Sequence, residues 1–231
     1  MQALPIKLQK DKKFRDFLSS KLKELDTGVN QVSVATDKME LSEFAERYEL
    51  PNEIIHDIEE KQNGIIILNG RYYIFSEEQE KSITFIHIKF EHSLNGDIFK
   101  FNMEEESDGT KRMLDLLPIL FRAGASLDSI YIVDELDRSL HTKLSKYLIS
   151  QFVKNEDDSL NRSQLLFTAH DVNLLDTDIL RQEEIWFIEK NFNGETKLKP
   201  FSDFSVVKGQ NILNDYLNGR FGAIPVIREG R

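Results

Sequence analysis

Apolar positions change their period twice along the chain. Over residues 8–62 they recur at three- and four-residue steps, and Phe14, Phe17, Leu18, Leu22 and Leu25 form one stripe. That spacing predicts helix. Pro51 and Asn52 precede EIIHDIEEK, which reads as a short helix with Asn52 as its cap. After Gly64 the pattern turns to strands. IIILNGRYYIF sets Asn69-Gly70 between two β-rich runs, and ITFIHIKFEHSLNGDIFKF repeats the device with Asn95-Gly96. Asn-Gly between such runs is the strongest short hairpin signal. Ile83 and Phe85 alternate with Thr84, Ile86 and Ile88, so neither face is cleanly polar. A partly buried antiparallel sheet is expected there.

From Ser107 onward helix and strand patterns alternate. TKRMLDLLPILF is an apolar helix, expected to kink or break near Pro118. SIYIVDE reads as a short buried strand. RSLHTKLSKYLISQF is an amphipathic helix with Leu140, Leu144, Leu148 and Phe152 at four-residue steps. QLLFTAH is a second buried strand. Apolar strands alternating with helices predict a parallel sheet. EEIWFIEKNFNGETKLKPF closes with a hairpin around Asn193-Gly194, and Trp186 within it is expected in the core. The fold class is α/β, with the subdomain boundary expected near residue 63.

Composition narrows the function classes. With 231 residues, 40% hydrophobic and 30% charged, the chain can bury a sizeable core. Thirty Lys and Arg against forty Asp and Glu give a net charge of -10. That sign disfavours direct nucleic-acid binding by this chain. There is no cysteine, hence no disulfide, thiol nucleophile or Cys-zinc site. No apolar run approaches the ~20 residues of a membrane span. The N-terminal MQALPIKLQKDKKF has no apolar signal core. A cytoplasmic protein without membrane contact is expected.

The densest chemistry lies in IYIVDELDRSL, where an apolar strand ends in two adjacent carboxylates, Asp134 and Glu135. In an open parallel sheet the carboxyl ends of strands face the ligand crevice. A carboxylate there can hold Mg²⁺, which takes few protein ligands and keeps several waters. The next carboxylate can orient and deprotonate a water; the plain alternative is a solvated strand end. His170, in LLFTAHD, again follows an apolar strand and could contact a terminal phosphate, or be an ordinary surface histidine. Ser107, Gly109 and Thr110, in ESDGTKR, open a helix whose first amides favour an anion, or form an ordinary helix cap. His56, His87, His92 and His141 show no metal-ligand spacing and read as surface residues; His141 could also contact a partner protomer. NEDD at 155–158 reads as a solvated loop, and Arg220 as either functional or part of a salt-bridged turn.

Taken together and in this order, these elements resemble the ABC-type ATPase head. SDGT at 107–110 looks like its signature, IYIVDE at 130–135 like Walker B, DRSLH at 137–141 like the D-loop and TAHD at 168–171 like the switch loop. VDELDRSLH, FTAHDVNLLD, EEIWFIEK and YLNGRFGAIP together resemble the ABC-like ATPases of bacterial abortive-infection, restriction and antiphage loci, which are related to the overcoming-lysogenisation-defect ATPases and more distantly to Rad50 and SMC heads. The resemblance covers roughly 64–227 and implies a partial ATPase head with a P-loop-type parallel sheet and flanking helices. It makes residues 1–63 a helical arm or lid and 64–231 the C-terminal lobe.

The same resemblance implies ATP and Mg²⁺ as cofactors, Asp134 at the metal, Glu135 and His170 as catalytic residues, and Ser107, Gly109 and Thr110 at the nucleotide. The family departure is at the P-loop: no G-x-x-x-x-G-K-[ST] occurs in the chain. The expected partners are therefore a missing N-terminal ATPase lobe or a homologous head in a homodimer, and a nuclease or other effector. This chain alone would then be inactive. The alternative is a non-catalytic scaffold or sensor that binds a partner protein.

Overall fold

The structure is a computed structural model, and it describes residues 4–61, 63–68, 71–76, 82–123, 128–155, 162–191, 193–205 and 210–224. The chain is mixed α/β. By its contacts it divides into two compact units, Met1–Leu117 and Pro118–Arg231.

The first unit opens with helices α1 (Leu4–Lys10) and α2 (Lys12–Glu24). Asp11 caps α2 by accepting from the Phe14 amide at 3.0 Å. The predicted stripe is its buried face: Phe14, Leu18 and Leu22 are fully buried, at four-residue steps. Strand β1 (Val29–Glu40) follows, then the short helices α3 (Leu41–Arg47) and α4 (Asn52–Glu60). Strands β2 (Asn63–Leu68), β3 (Arg71–Ser76), β4 (Ser82–Leu94) and β5 (Asp97–Asn102) complete an antiparallel sheet. Its order is β1-β4-β3-β2, with β5 also paired to β4.

β1 corrects the reading of 8–62 as helix throughout. Val29, Val32, Val34 and Thr36 are β-branched residues, which suit a pleated surface better than a helix. Their pairing with His92, Phe90, Ile88 and Ile86 of β4 supplies the partners. Because β1 pairs across the expected boundary at 63, residues 1–63 are not a separate helical arm. Asn52 is the first residue of α4 rather than its cap; Pro51 holds the cap position.

Two layers of helix cover this sheet. Val32 and Phe90, paired across the strands, are both buried, and α2 packs against β1. The Val32 amide also donates to Ser19 Oγ of α2 at 2.9 Å. A second cluster joins Leu41, Phe44, Leu50 and Ile58 of the α3–α4 region to Phe75, Ile83 and Phe85 of the sheet. There the Phe44 and Phe85 rings meet edge-on at 5.7 Å. The β4–β5 hairpin turns at Asn95 (φ 53°) and Gly96 (φ 92°), the two positive φ values a type I′ turn needs. β2 and β3 also pair as a hairpin, with Asn69-Gly70 outside the described residues. His92 is not a plain surface residue: its Nε2 lies 2.6 Å from Oε1 of Glu106, whose side chain is only 5% exposed.

Helix α5 (Asp108–Ala123) continues through Pro118 without a break. Proline removes one backbone donor, but Leu114, Leu116, Leu117 and Leu120 around it are buried and hold the helix.

In the second unit β6 (Ile130–Val133) runs parallel to β7 (Gln164–Phe167), and α6 (Thr142–Asn155) is the crossover between them. Tyr131 of β6 meets Phe152 of α6 edge-on at 6.1 Å. The opposite face corrects the expectation of strands buried on both sides: Ile130 and Leu166 are exposed and Ile132 is 76% exposed. Helix α6 packs on one face of these strands, and their alternation turns every second residue to the other face. β8 (Trp186–Lys190) and β9 (Thr196–Pro200) form the expected antiparallel hairpin. Phe187 points inward among Phe201, Phe204, Phe221 and Tyr216, the last of these from α7 (Ile212–Leu217). Trp186 falls on the other face and is 53% exposed, so it is not a core residue. Arg220 lies in a turn and pairs with Asp215 at 3.1 Å. Residues 156–158 of the acidic run and Pro225 lie outside the described residues. Among the described residues no helix is long and apolar enough to cross a membrane.

Phe90 is the sharpest test of the first core. Phe90→Ala should lower unfolding free energy by about 3–5 kcal/mol, the usual cost of truncating a buried phenylalanine. Lys38→Ala, at an exposed position of the paired strand, should stay within about 0.5 kcal/mol. Urea midpoints followed by circular dichroism check both; equal midpoints would mean the β1–β4 core is misplaced.

Candidate functional site

Parallel pairing of β6 and β7 brings two distant chain segments to one sheet end. Val133 and Phe167 are register partners, so Asp134 and Thr168 leave the sheet side by side. The Thr168 amide donates to Val133 O at 3.0 Å, and the Leu136 amide donates to Thr168 O at 2.9 Å. The Thr168 hydroxyl donates to Asp134 Oδ1 at 2.5 Å and accepts from the Glu135 amide at 2.8 Å. Glu135 has φ 49°, a left-handed conformation that costs a non-glycine residue energy. Its amide bond to Thr168 helps to hold that turn.

The third expected residue joins them. His170 Nε2 lies 3.6 Å from Glu135 Oε1, and Arg138 Nη1 lies 3.9 Å from Glu135 Oε2. The His170 side chain is 82% exposed and Glu135 is partly so, which leaves both accessible to a ligand. Asp137 fixes the loop that carries His170: its Oδ2 accepts from the His170 amide at 3.0 Å and the Asp171 amide at 2.7 Å.

A further layer ties this loop to α6. Asp171 accepts from the Thr142 hydroxyl and from the Asn173 amide at 3.0 Å. Lys146 of α6 pairs with Asp176 at 2.7 Å. Burial pushes the Asp171 carboxyl up, but bonds from Thr142 and Asn173 and the Lys146 charge outweigh it, so the carboxyl sits below its ordinary range. The Lys146 hydrogen bond holds Asp176 down, against burial and with help from the Asp178 amide and the Lys146 charge. His141 precedes α6, and its Nδ1 accepts from the Lys143 amide at 3.1 Å, so it acts as a helix cap.

Ser107, Gly109 and Thr110 belong to the first unit. Ser107 caps α5: its Oγ accepts from the Thr110 amide at 3.1 Å and lies 2.9 Å from Thr110 Oγ1. Thr110 is buried, whereas Ser107 is exposed and Gly109 half-buried in the first turn. The ordinary cap geometry is therefore present at this segment.

Chemically, the Asp134–Glu135 end offers hard oxygen donors. Mg²⁺ needs only one or two carboxylates and completes its shell with water. Exposed Asp134, steered by Thr168, fits that demand. Among the described residues no group of three or more metal-ligating side chains gathers, so there is no all-protein cage. Thr168 and Asp137 are the residues that sequence reasoning missed as organisers of the site. Their signals were present: a threonine closing an apolar strand two residues before His170, and an aspartate three residues after Asp134.

Lys146 gives a pH test of the loop's attachment. A carboxyl depressed in the folded state adds stability above its ordinary pKa of about 4 and loses it as pH falls through the depressed value. Lys146→Met should thus be less stable than the parent at pH 7, with the gap closing as pH drops below about 4. Urea midpoints across that range are the measurement. A gap unchanged by pH would contradict the assigned pairing.

Two comparisons bear on this geometry. No curated protein matches the chain. Residues 3–176 match the family described as "AAA domain, putative AbiEii toxin, Type IV TA system". The matched span holds β6, β7, α6, Asp134, Glu135 and His170, and it reaches Asp176 at the far end of the Lys146 pair. AAA domains in general use a nucleotide and Mg²⁺, the chemistry for which a strand-end carboxylate pair is suited. With more than half of its length inside that match, the chain belongs to this AAA-domain family.

Proposed function

We propose that this chain supplies the hydrolytic half of an ABC-like ATPase related to the overcoming-lysogenisation-defect ATPases of bacterial abortive-infection and antiphage loci. The observation that carries the reading is the meeting of Asp134, Glu135 and His170 at one end of the β6–β7 pair, with Glu135 and His170 3.6 Å apart. Asp134 acts as the Walker B metal ligand and Glu135 as the general base. Asp134, held by Thr168, would hold Mg²⁺, which when bound would supply positive charge against the charge of the phosphate. Glu135 accepts a proton from the attacking water as the water oxygen bonds to the terminal phosphorus and the bond to the departing diphosphate breaks. His170 hydrogen-bonds the terminal phosphate.

No G-x-x-x-x-G-K-[ST] lies in these 231 residues. In this reading the P-loop comes from a further ATPase lobe, and two heads close over two nucleotides. Ser107, Gly109 and Thr110 then serve as the signature segment facing the partner head's phosphate. The exposed Ile130, Ile132 and Leu166 face supports an additional layer, because parallel sheets are normally covered on both sides. A nuclease or other effector would take its signal from closure. The missing motif also favours a second reading, a non-catalytic scaffold that binds a protein partner through the same face.

Calorimetric titration of the isolated chain with Mg-ATP should show only weak binding, since the phosphate-cradling amides and lysine of a P-loop are absent. Sub-micromolar affinity would reveal a phosphate loop of another kind. With the P-loop lobe supplied, Glu135→Gln should slow single-turnover hydrolysis ~10²–10⁴-fold while nucleotide binding survives and closed dimer accumulates. Asp134→Asn should instead weaken Mg²⁺-dependent binding. Hydrolysis by Glu135→Gln at the parent rate would remove Glu135 from the role of base, and a parent assembly without any hydrolysis would favour the scaffold.

A further inference from the structure

The residue that holds the two acidic side chains in register is neither of them. Thr168 uses every polar group it has on the segment 133–136. Its amide and carbonyl bond Val133 and Leu136. Its hydroxyl serves the two residues between them. A hydroxyl has one proton and two lone pairs. The proton goes to Asp134 Oδ1 at 2.5 Å, and a lone pair accepts from the Glu135 amide at 2.8 Å. A bond to a carboxylate is charge-assisted and directional, so it sets the plane of the Asp134 carboxyl. The bond from Glu135 anchors the left-handed turn from which that side chain departs.

Packing does not explain the threonine. Thr168 is exposed, so its methyl adds little to the core. β-Branching instead restricts χ1, which keeps the hydroxyl aimed. The same short loop carries His170, whose amide is tied to Asp137. Any displacement of the loop is therefore passed to Asp134 and Glu135 through Thr168.

We propose that Thr168 is a positioning residue for the cation, orienting Asp134 to receive Mg²⁺ and fixing Glu135 beside it. The proposal rests on the assignment of Asp134 to the metal. Residues that orient a metal ligand typically contribute 10–100-fold to metal affinity.

The test uses Mn²⁺ as a paramagnetic stand-in for Mg²⁺ on the ¹⁵N-labelled chain, with no nucleotide and no turnover. In the parent, Mn²⁺ should broaden the amides of Asp134, Glu135 and Thr168 first. Thr168→Val should shift the broadening midpoint to roughly 10-fold higher Mn²⁺ or more. Thr168→Ser, which keeps the hydroxyl, should return close to the parent midpoint, an outcome that loss of the methyl or of packing would not produce. Thr168→Ala gives the same readout should valine disturb the strand end. Equal midpoints for parent, valine and alanine variants would overturn the role of Thr168 while leaving the metal assignment standing. Absence of selective broadening around Asp134 in the parent would overturn the metal assignment, and this inference with it.

Discussion

Parallel alignment of β6 and β7 is the constraint on which the candidate site depends. Asp134 and Thr168 are 34 residues apart in sequence and become neighbours only because Val133 and Phe167 share a register position. Parallel strands cannot be joined by a tight turn; they need a crossover, here α6. Slipping the register by one residue would turn Tyr131 and Val133 outward and carry Thr168 away from Asp134. Core packing against α6 and placement of the polar strand ends are thus one geometric decision.

The polar layer extends this decision away from the sheet. Asp137 gathers the His170 and Asp171 amides, Asp171 takes the Thr142 hydroxyl, and Lys146 holds Asp176. These links connect the loop after β7 to the start of the crossover helix. A loop with exposed side chains therefore has a defined backbone. The exposed His170 ring can meet a ligand while its amide stays fixed.

The strand ends were legible because both apolar runs stop abruptly at polar residues, IYIV before Asp134 and LLF before Thr168. The hairpins at Asn95-Gly96 and Asn193-Gly194 were legible because their turn residues have a backbone reason to be there. β1 was not: Val29–Glu40 carries polar residues between its valines, and its identity as a strand comes from β4, more than forty residues downstream. Trp186 was misread for a related reason. Residue type predicts an aromatic in a sheet but not which face it takes, and Phe187 occupies the inward position. Thr168 and Asp137 stand at legible places, after an apolar strand and three residues past Asp134, but their bonds to segments more than thirty residues away come only with the fold.

The open face of β6 and β7 bears on why the site is built this way. Among the described residues β6 and β7 pair with α6 packed on one side, and isolated pairs of strands are marginal in water. Ile130, Ile132 and Leu166 expose apolar surface on the side away from α6. A lobe that covered that face would gain the free energy of burying it. Were that same lobe to carry the phosphate loop, as proposed, completion of the hydrophobic layer and completion of the catalytic site would be a single event. The preformed Asp134–Thr168–Glu135 lock then acquires a physical rationale. With its acidic residues already aimed, docking would need to order only the incoming lobe, which lowers the conformational entropy lost on assembly.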